Sequence, residues 1–367
     1  MAQGHADLNV DQRDLVAAPK ALLHDHLDGG LRPATVIELA DEIGWPLPST
    51  DEHELQAWFT AGAVTGDLLQ YLATFEHTLA VMQRPDSIER VAYEATVDLA
   101  TDGVVYAEVR FAPELHVVGG LSLDAVVDAV TSGFRRGEVD AAAGGRPITV
   151  NAICCAMRTG SRSLEIAHLV DRCRNTDDKV VAFDLAGAET GFPPSLHAEA
   201  CAFARDVHLN MTIHASEPPD LPLISDAIAQ GAHRIGHGVR LAADTRPSGD
   251  GGLLLGPLAQ FVLDHQVHLE MAPTCNVQIG AVASVAEHPI GPFLRAGLSV
   301  GFNTDNRLMS NVMPSSELLA LSTEQQLTAA EMEQLVTNAA MASFSPYDDR
   351  RRLVHDVIAP GFAALAR

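Results

Sequence analysis

The sequence lacks two features that would place it in a membrane or outside the cell. Its longest apolar stretches fall short of the roughly 18 residues that a membrane-spanning helix needs. The first residues, MAQGHADLNVDQRD, are polar and acidic, without the basic start and apolar centre of a signal peptide. We therefore expect neither membrane insertion nor secretion.

The cysteines also lack the spacing of a metal site or a disulfide framework. The chain contains five of them, Cys154, Cys155, Cys173, Cys201 and Cys275, with no CxxC pair and no even set. This pattern argues against a thiolate zinc site and against a disulfide-stabilised fold. Free thiols are typical of a reducing compartment, so the sequence predicts a cytoplasmic protein.

Positive charge is scarce. Lys and Arg number 24 against 48 Asp and Glu, which gives a formal net charge of −24. Because such a chain repels polyanions, nucleic acids and anionic membrane surfaces are unfavourable partners. The expected partner is a neutral or cationic small molecule, bound by a monomer or a small homo-oligomer.

The chain does contain a regular alternation of strand-like and helix-like segments. Its 367 residues, 47% of them apolar, can bury a large core. Eight short β-branched or apolar runs are separated by segments with helical spacing, which is typical of βα units. These runs span residues 21–26, 104–111, 148–156, 180–187, 211–216, 233–239, 267–272 and 298–304. Eight is the number that closes a parallel barrel, so we predict an α/β fold, a single (β/α)8 barrel domain over residues 1–367.

Two additions to the barrel are expected. About 75 residues separate the first two strands, more than a βα connection needs, so residues 30–103 are predicted to form a helical insertion that covers the pocket. Thr328 and Glu331 have the spacing of a capping box, which predicts an extra C-terminal helix. After strand five, Asp220 is predicted to cap the next helix.

Polar residues follow several predicted strands at their C-terminal ends. His24 and His26 point to the same face of strand one, His214 ends strand five, and Asp305 follows strand eight. Each of them alone is more often an ordinary structural residue. Because the C-terminal ends of barrel strands meet at one rim, we expect the four to converge. Three imidazoles and one carboxylate suit a single Zn²⁺ ion per chain that keeps a position open for water.

Further groups at the same rim suggest hydrolysis. A catalytic zinc ion lowers the pKa of bound water to near neutrality, and Asp305 is placed both to bind zinc and to accept the proton. His237, at the end of strand six, is placed to donate a hydrogen bond to the hydroxide. Glu217, three residues after His214, is the natural general acid. It must start protonated, which requires a dry pocket that raises its pKa.

The motifs PKALLHDHLDG, DLAGAETGFPP, IHASE, RIGHG and FNTDN, in this order and spacing, resemble those of the adenosine deaminase family of amidohydrolase barrels. The resemblance runs from about Pro19 to the C-terminal helices. It implies hydrolytic removal of the 6-amino group from adenosine and 2′-deoxyadenosine. It also implies that His24, His26, His214 and Asp305 bind zinc, that Glu217 protonates ring N1, and that His237 assists the hydroxide.

The resemblance extends to substrate contacts. It implies a purine nucleoside held by His26, by Asp28 at the ribose 5′-hydroxyl, by the backbone of Gly187 at N3, and by Asn306 at N7. Candidate apolar wall residues come from the insertion: Trp58, Phe59, Leu68, Leu69 and Phe75.

The chain departs from the family pattern near the purine. Asn306 replaces a second aspartate, Ser216 a glycine, and Ala188 an acidic residue, while APTCN stands where PTSN is more frequent. The deamination chemistry is retained, since the Asn306 amide can still donate to N7. The exact purine stays open, and the alternatives are aminodeoxyfutalosine, adenine or a modified adenosine.

Other classes fit the sequence less well. A two-metal barrel hydrolase would need a bridging lysine after strand four, where the chain has DLAGAE. The zinc deaminases with HxE and PCxxC motifs are excluded, because no PCxxC follows His197 and Glu199. A 5′-phosphate beside Asp28 would be repelled, which disfavours AMP. A catalytically dead barrel would have no need of the complete set of site residues.

Overall fold

Eight parallel strands form one sheet in the order β1-β2-β3-β4-β5-β6-β9-β10. The computed structural model describes residues 12–65, 71, 74–249 and 251–365. Leu68 and Leu69, and the N-terminal residues on which the signal-peptide prediction depends, lie largely outside these ranges. The strands of the sheet are β1 (Lys20–His26), β2 (Val104–Phe111), β3 (Thr149–Met157), β4 (Val180–Ala186), β5 (Met211–Ala215), β6 (Arg234–His237), β9 (His268–Met271) and β10 (Val300–Phe302). Each of them overlaps one of the eight predicted runs.

Backbone contacts after β10 join the last strand to the first. Asp25 and Asp305 form a parallel bridge. The His26 N–H donates to the Asp305 carbonyl at 2.7 Å, and the Asp305 N–H donates to the His24 carbonyl at 3.0 Å. The Asn303 side chain accepts from the His24 N–H at 2.9 Å. The sheet is therefore a (β/α)8 barrel, as predicted, and its closure places Asp305 beside the two histidines of β1.

Helices alternate with the strands and surround the sheet. They are α1 (Gln12–Ala17), α2 (Pro33–Ile43), α3 (Glu52–Ala63), α4 (Phe75–Val81), α5 (Pro85–Thr101), α6 (Leu123–Ala143), α7 (Ser163–Arg174), α8 (Ala198–Asp206), α9 (Pro222–Ala229), α10 (Pro257–Asp264), α11 (Pro273–Gln278), α12 (Ile290–Arg295), α13 (Arg307–Ser310), α14 (Pro314–Glu324), α15 (Ala329–Ala342), α16 (Tyr347–Arg352) and α17 (Ala359–Leu365). A π-helical turn, Leu353–Ile358, connects α16 to α17. Short 3₁₀ helices span Pro113–His116, Pro194–His197, Val239–Asp244 and Val285–Glu287, and a hairpin of β7 (Thr245–Pro247) and β8 (Leu253–Leu255) follows β6.

The extra helices occur where the sequence predicted them. Helices α2 to α5 lie between β1 and β2, and α14 to α17 follow the last strand. The capping box of α15 is present, since the Thr328 hydroxyl accepts from the Glu331 N–H while the Glu331 carboxylate accepts from the Thr328 N–H. The predicted cap of α9 is wrong. Leu221 is the N-cap residue and makes no side-chain cap, because Pro222 begins the helix one position later than an Asp220 cap requires.

All five cysteines are buried and free. Among the described residues, no helix is long and apolar enough to cross a lipid bilayer.

A buried lysine holds together the end of the barrel at which the strands begin. The Lys20 ammonium donates to the carbonyls of Ala18 at 2.8 Å and Asp102 at 2.5 Å, and to that of Val16 at 3.3 Å. Its side chain is fully buried, and burial lowers the pKa of Lys20 to about 8. The Asp102 carboxylate in turn accepts from the Ser315 N–H at 2.7 Å. One side chain thus ties α1 and the end of α5 to β1, and Asp102 extends the contact to α14.

Replacing Lys20 by Met should destabilise the fold by about 3 kcal/mol, because buried carbonyls lose their donor. The free energy of unfolding in urea at pH 7 measures this. Lys179→Met is the matched control. Lys179 pairs with Glu138, and the two side chains are 11% and 19% exposed, so solvent can partly replace the contact and its loss should cost about 1 kcal/mol. An equal fall in the free energy of unfolding in the two variants would show that the buried contacts of Lys20 stabilise the fold no more than the Lys179 ion pair does.

Candidate active site

One cavity opens at the C-terminal ends of the barrel strands. Its polar lining consists of predicted site residues together with Tyr71, and the predicted members are His26, Asp28, Gly187, His214, Glu217, His237, Asp305 and Asn306. Its apolar lining comes mainly from Phe75, Leu79, Leu115, Met157 and Ala186. His24 lies directly behind this lining and contacts Asp305. The structure therefore brings every predicted site residue to the same place.

Four predicted metal ligands face one another at the base of this cavity. Asp305 Oδ1 lies 3.3 Å from His24 Nε2 and 3.4 Å from His26 Nε2. His26 Nε2 lies 3.3 Å from His214 Nε2. His24 Nε2 is buried and has no hydrogen-bond partner among the described residues. A buried nitrogen without a partner, beside other lone-pair donors, fits a bound cation.

The two imidazoles of β1, His24 and His26, are held in the neutral form that can bind a metal. Burial, with the positive charge of Arg110 next in importance, lowers the pKa of His24 well below its usual value. Burial and the neighbouring His214 do the same to His26. A neutral imidazole has one nitrogen lone pair free for a metal, whereas the protonated ring has none.

Two carboxylates behind the histidines decide which nitrogen is free. His24 Nδ1 lies 3.0 Å from Glu270 Oε2, and His214 Nδ1 lies 3.1 Å from Asp184 Oδ2. Arg110 bridges the same two carboxylates, at 2.8 Å to Asp184 and 2.6 Å to Glu270. Each imidazole therefore donates through Nδ1 and turns Nε2 towards the cavity.

Sequence reasoning missed these three supporting residues. A signal was present, since Asp184 and Glu270 are single acidic residues within the otherwise apolar runs VVAFDLAG and VHLEMA. Both are fully buried. Although burial opposes it, the charges of Arg110 and Arg234 lower the pKa of Glu270 to about 2. Glu270 is therefore a permanent acceptor for the His24 N–H.

Glu217 lies on a tight loop after β5 that a buried ion pair supports. The Glu189 carboxylate accepts from the backbone N–H groups of Ser216 at 2.8 Å and Glu217 at 3.3 Å. Arg158 donates to the His214 carbonyl at 2.8 Å and lies 3.6 Å from Glu189. These contacts hold the loop against the end of β5.

Ser216 stands in this loop where the family pattern has a glycine, and its backbone has the conformation that a glycine would take. Ser216 has φ of 62°, a left-handed conformation that a side chain disfavours. Its hydroxyl donates to the Asp220 carbonyl at 2.6 Å, which offsets part of the strain. Ser216 therefore keeps the turn that a glycine would form.

The surroundings of Glu217 favour its neutral form. Burial, followed by the negative charges of Asp305 and Glu189, raises the pKa of Glu217 well above its usual value. His237 Nε2 lies 3.6 Å from Glu217 Oε1. On the other side, the Cys275 thiol donates to Asp305 Oδ2 at 2.8 Å. The cavity thus contains a carboxylic acid that can donate a proton beside groups that can bind a metal.

Asp28, Gly187 and Asn306 also line the cavity, and the Asp28 carboxylate lies 4.0 Å from His26 Nδ1. Burial, with repulsion from the Asp305 and Asp25 carboxylates, raises the pKa of Asp28 to about 7. Gly187 has φ of 94°, a left-handed conformation that a side chain would strain, so glycine suits this position. A Cβ on Gly29 would lie 2.0 Å from Asn306 Oδ1, so this glycine leaves the room that Asn306 occupies.

The predicted apolar wall is correct only in part. Phe75 lines the cavity. Phe59 is fully buried in the core, and the Trp58 ring packs 5.0 Å from the His77 ring. Neither Trp58 nor Phe59 is among the described lining residues. Helix α3 turns these rings towards α4 instead of the barrel mouth.

Asp184→Asn should weaken metal binding by about 10- to 100-fold, because His214 loses its carboxylate partner and its fixed orientation. Competition with a coloured chelator measures the dissociation constant. Glu108→Gln is the matched control. Glu108 is as buried as Asp184, but its carboxylate contacts Arg234 at 2.6 Å and no histidine that is a predicted ligand. Unchanged affinity in the Asp184 variant, with circular dichroism showing an intact fold, would contradict the orienting role.

Comparisons with known proteins agree with this geometry. A sequence model of the family described as adenosine deaminase matches residues 19–360. A protein named adenosine deaminase from Mycolicibacterium vanbaalenii is 51% identical over 350 residues, which cover 95% of this chain and 96% of that protein. The match therefore extends over almost the whole of both chains.

Solved structures share the fold at lower identity. An amidohydrolase from Burkholderia ambifaria, solved with bound zinc, has a TM-score of 0.83 at 23% identity and covers 99% of this chain and 95% of its own. An adenine deaminase from Arthrobacter aurescens has a TM-score of 0.79 at 24% identity, with 95% and 99% covered. At these identities the likeness shows the barrel fold alone. The family match and the 51% identity show more: the chain belongs to the adenosine deaminase family.

Proposed function

We propose that this protein is a zinc-dependent hydrolase that converts adenosine and 2′-deoxyadenosine to inosine and 2′-deoxyinosine with release of ammonia. One observation carries the proposal: a buried carboxylic acid, Glu217, faces the same cavity as three imidazoles and Asp305. Family membership and the relative named adenosine deaminase support it.

One zinc ion would be held by His24, His26, His214 and Asp305. Nitrogen and oxygen donors of this number suit zinc, and the Burkholderia structure with bound zinc supports the choice. When bound, zinc supplies a water molecule that loses its proton near neutral pH. The unpaired His24 Nε2 supports the same assignment.

Three residues of the chain would move or hold protons. Attack at C6 drives electron density onto ring N1, where the neutral Glu217 carboxyl donates its proton. His237 hydrogen-bonds to the attacking oxygen. Asp305 accepts the proton that the water loses, since burial raises the pKa of its carboxylate and makes it a better base. Ammonia leaves once the amino group has taken up that proton, and the C6 hydroxyl loses its own proton as the carbonyl forms, which restores the proton that Glu217 gave to N1.

Substrate contacts would come from other residues of the cavity lining. Asp28 would hold the ribose 5′-hydroxyl, the Gly187 backbone would face N3, and the Asn306 amide would donate to N7. His26 would contact both zinc and substrate. Asp28 supports a nucleoside over the free base, because adenine has no hydroxyl to offer it.

The alternatives differ from adenosine only away from C6. Adenine, a modified adenosine or aminodeoxyfutalosine would use the same acid and the same ligands. A single domain over residues 1–367, a cytoplasmic location, and a monomeric or small homo-oligomeric state stay predictions.

Glu217→Gln should keep zinc but lower kcat for adenosine by on the order of 100- to 10,000-fold, because the amide cannot protonate N1. The ultraviolet change on deamination and elemental analysis measure the two quantities. Glu317→Gln is the control. Glu317 is also a buried acid, with a pKa that burial raises to about 7, but it contacts the Thr274 N–H outside the cavity lining. Full activity in the Glu217 variant would refute the acid role.

AMP should be deaminated with a kcat/KM at least about 100-fold below that of adenosine, because a 5′-phosphate beside acidic groups is repelled. The described residues of the cavity lining include no lysine or arginine to neutralise it. Parallel assays of adenosine, 2′-deoxyadenosine, AMP, adenine and aminodeoxyfutalosine test this. A preference for AMP would overturn the nucleoside assignment, and a preference for one of the last two would select that alternative.

A further inference from the structure

A chain of buried hydrogen bonds runs from the backbone of α12 to His237. The Ile290 N–H donates to His288 Nδ1 at 3.2 Å. His288 Nε2 lies 3.1 Å from Asn276 Oδ1, and Asn276 Nδ2 lies 3.2 Å from His237 Nδ1. The three side chains are at most 1% exposed. Water therefore has little access to these contacts, and the groups must satisfy one another.

The direction of every bond in this chain follows from its first donor. A backbone N–H can only donate, so His288 Nδ1 carries a lone pair and no proton. Burial lowers the pKa of His288 to about 3, so its ring is neutral and its single proton is on Nε2. That proton must point to an acceptor. The oxygen of the Asn276 amide therefore faces His288.

The orientation of the amide then determines the proton position on His237. With its oxygen turned to His288, Asn276 presents its NH₂ group to His237 Nδ1, which must accept. An imidazole ring carries at least one proton, and a nitrogen that accepts a hydrogen bond carries none. Its proton is therefore on Nε2, the nitrogen that lies 3.6 Å from Glu217 Oε1.

We propose that Asn276 and His288 are positioning residues that hold His237 as the Nε2–H tautomer, so that His237 donates a hydrogen bond into the cavity and cannot act there as a base. That this hydrogen bond goes to the oxygen that attacks the substrate rests on the proposed deaminase function. The tautomer itself rests only on the hydrogen-bond chain.

The opposite arrangement would leave one mispaired contact. If the Asn276 amide were reversed, its NH₂ group would meet the His288 N–H as donor against donor. His237 could then carry its proton on Nδ1, but His288 would be left without an acceptor. One such buried mismatch disfavours the state by about 10-fold or more. The donor tautomer of His237 is thus the dominant one.

The Nε2–H tautomer of His237 separates its role from that of Asp305. A base must have a free lone pair on the side of the reacting water, and His237 has none there as the Nε2–H tautomer. Proton removal is left to Asp305, whose carboxylate lies on the same side of the cavity. His237 would instead orient the oxygen that attacks C6, which improves geometry in the transition state more than substrate affinity.

Nitrogen-15 NMR of the histidine-labelled full chain tests the tautomer directly. Long-range proton–nitrogen spectra should show His237 and His288 protonated on Nε2, both with and without added zinc. His237→Asn and His288→Gln identify the two signals by their loss. A proton on Nδ1 of His237 in the unaltered protein would overturn the proposal, whatever the protein catalyses.

Asn276→Asp tests the control that Asn276 exerts. A carboxylate only accepts, so His237 should move its proton to Nδ1 and its NMR pattern should reverse. We expect kcat for adenosine to fall on the order of 100-fold while KM changes by less than about 3-fold. His288→Gln, which keeps a side-chain NH donor, should retain most of the activity, whereas His288→Ala should not.

The outcomes separate this inference from the proposed function. If the unaltered protein shows the Nε2–H tautomer but deaminates none of the purines, the proposed function fails and the hydrogen-bond chain stands. If it deaminates adenosine but Asn276→Asp leaves the His237 pattern unreversed, the positioning role fails alone. If that variant does not fold, the spectra of the unaltered protein and of His288→Ala, in which His237 should become a mixture of tautomers, decide the matter.

Discussion

The site depends on one buried cation, the Arg110 guanidinium. Two carboxylates, Asp184 and Glu270, lie inside the barrel, and each would be too costly to bury as an unpaired charge. Arg110 contacts both of them at hydrogen-bond distance. Their charges can then persist in the interior and hold His24 and His214 by Nδ1. Without Arg110, Asp184 would lose the arginine that balances its charge, and Glu270 would keep only its contact with Arg234 at 2.6 Å.

The positive φ angles show how the strand ends are shaped for this site. Ser216, His237 and Asp305 have φ of 62°, 58° and 57°, although none of them is glycine. Left-handed backbone at a residue with a Cβ is costly and tends to occur at functional positions. Here it turns the chain at the ends of β5, β6 and β10 and directs side chains across the barrel mouth. The cost is offset locally, as by the Ser216 hydroxyl bonded to the Asp220 carbonyl.

Much of the fold and of the site was accessible from sequence because both follow from local patterns. Apolar runs predict strands, and eight of them predict a closed barrel whose C-terminal ends meet, so histidines at those ends are expected together. Local reasoning failed where a choice depended on neighbours. Pro222 displaces the expected Asp220 cap, and the rings of Trp58 and Phe59 pack against α4. Asp184 and Glu270 were missed because their partners, His24 and His214, lie on other strands, and the sequence alone does not show which side chains meet inside the closed barrel.

The sequence by itself determined which chemical groups reach the barrel mouth. Strand spacing and motif order depend only on residues close together in the chain, and they suffice to identify His24, His26, His214, Glu217 and Asp305 as a group. Only the tertiary structure decided the state of each group: which imidazole nitrogen is free, which acid is neutral, and which way the Asn276 amide points. The physical reason is that protonation and hydrogen-bond direction depend on burial and on partners far apart in sequence, and folding alone brings those together.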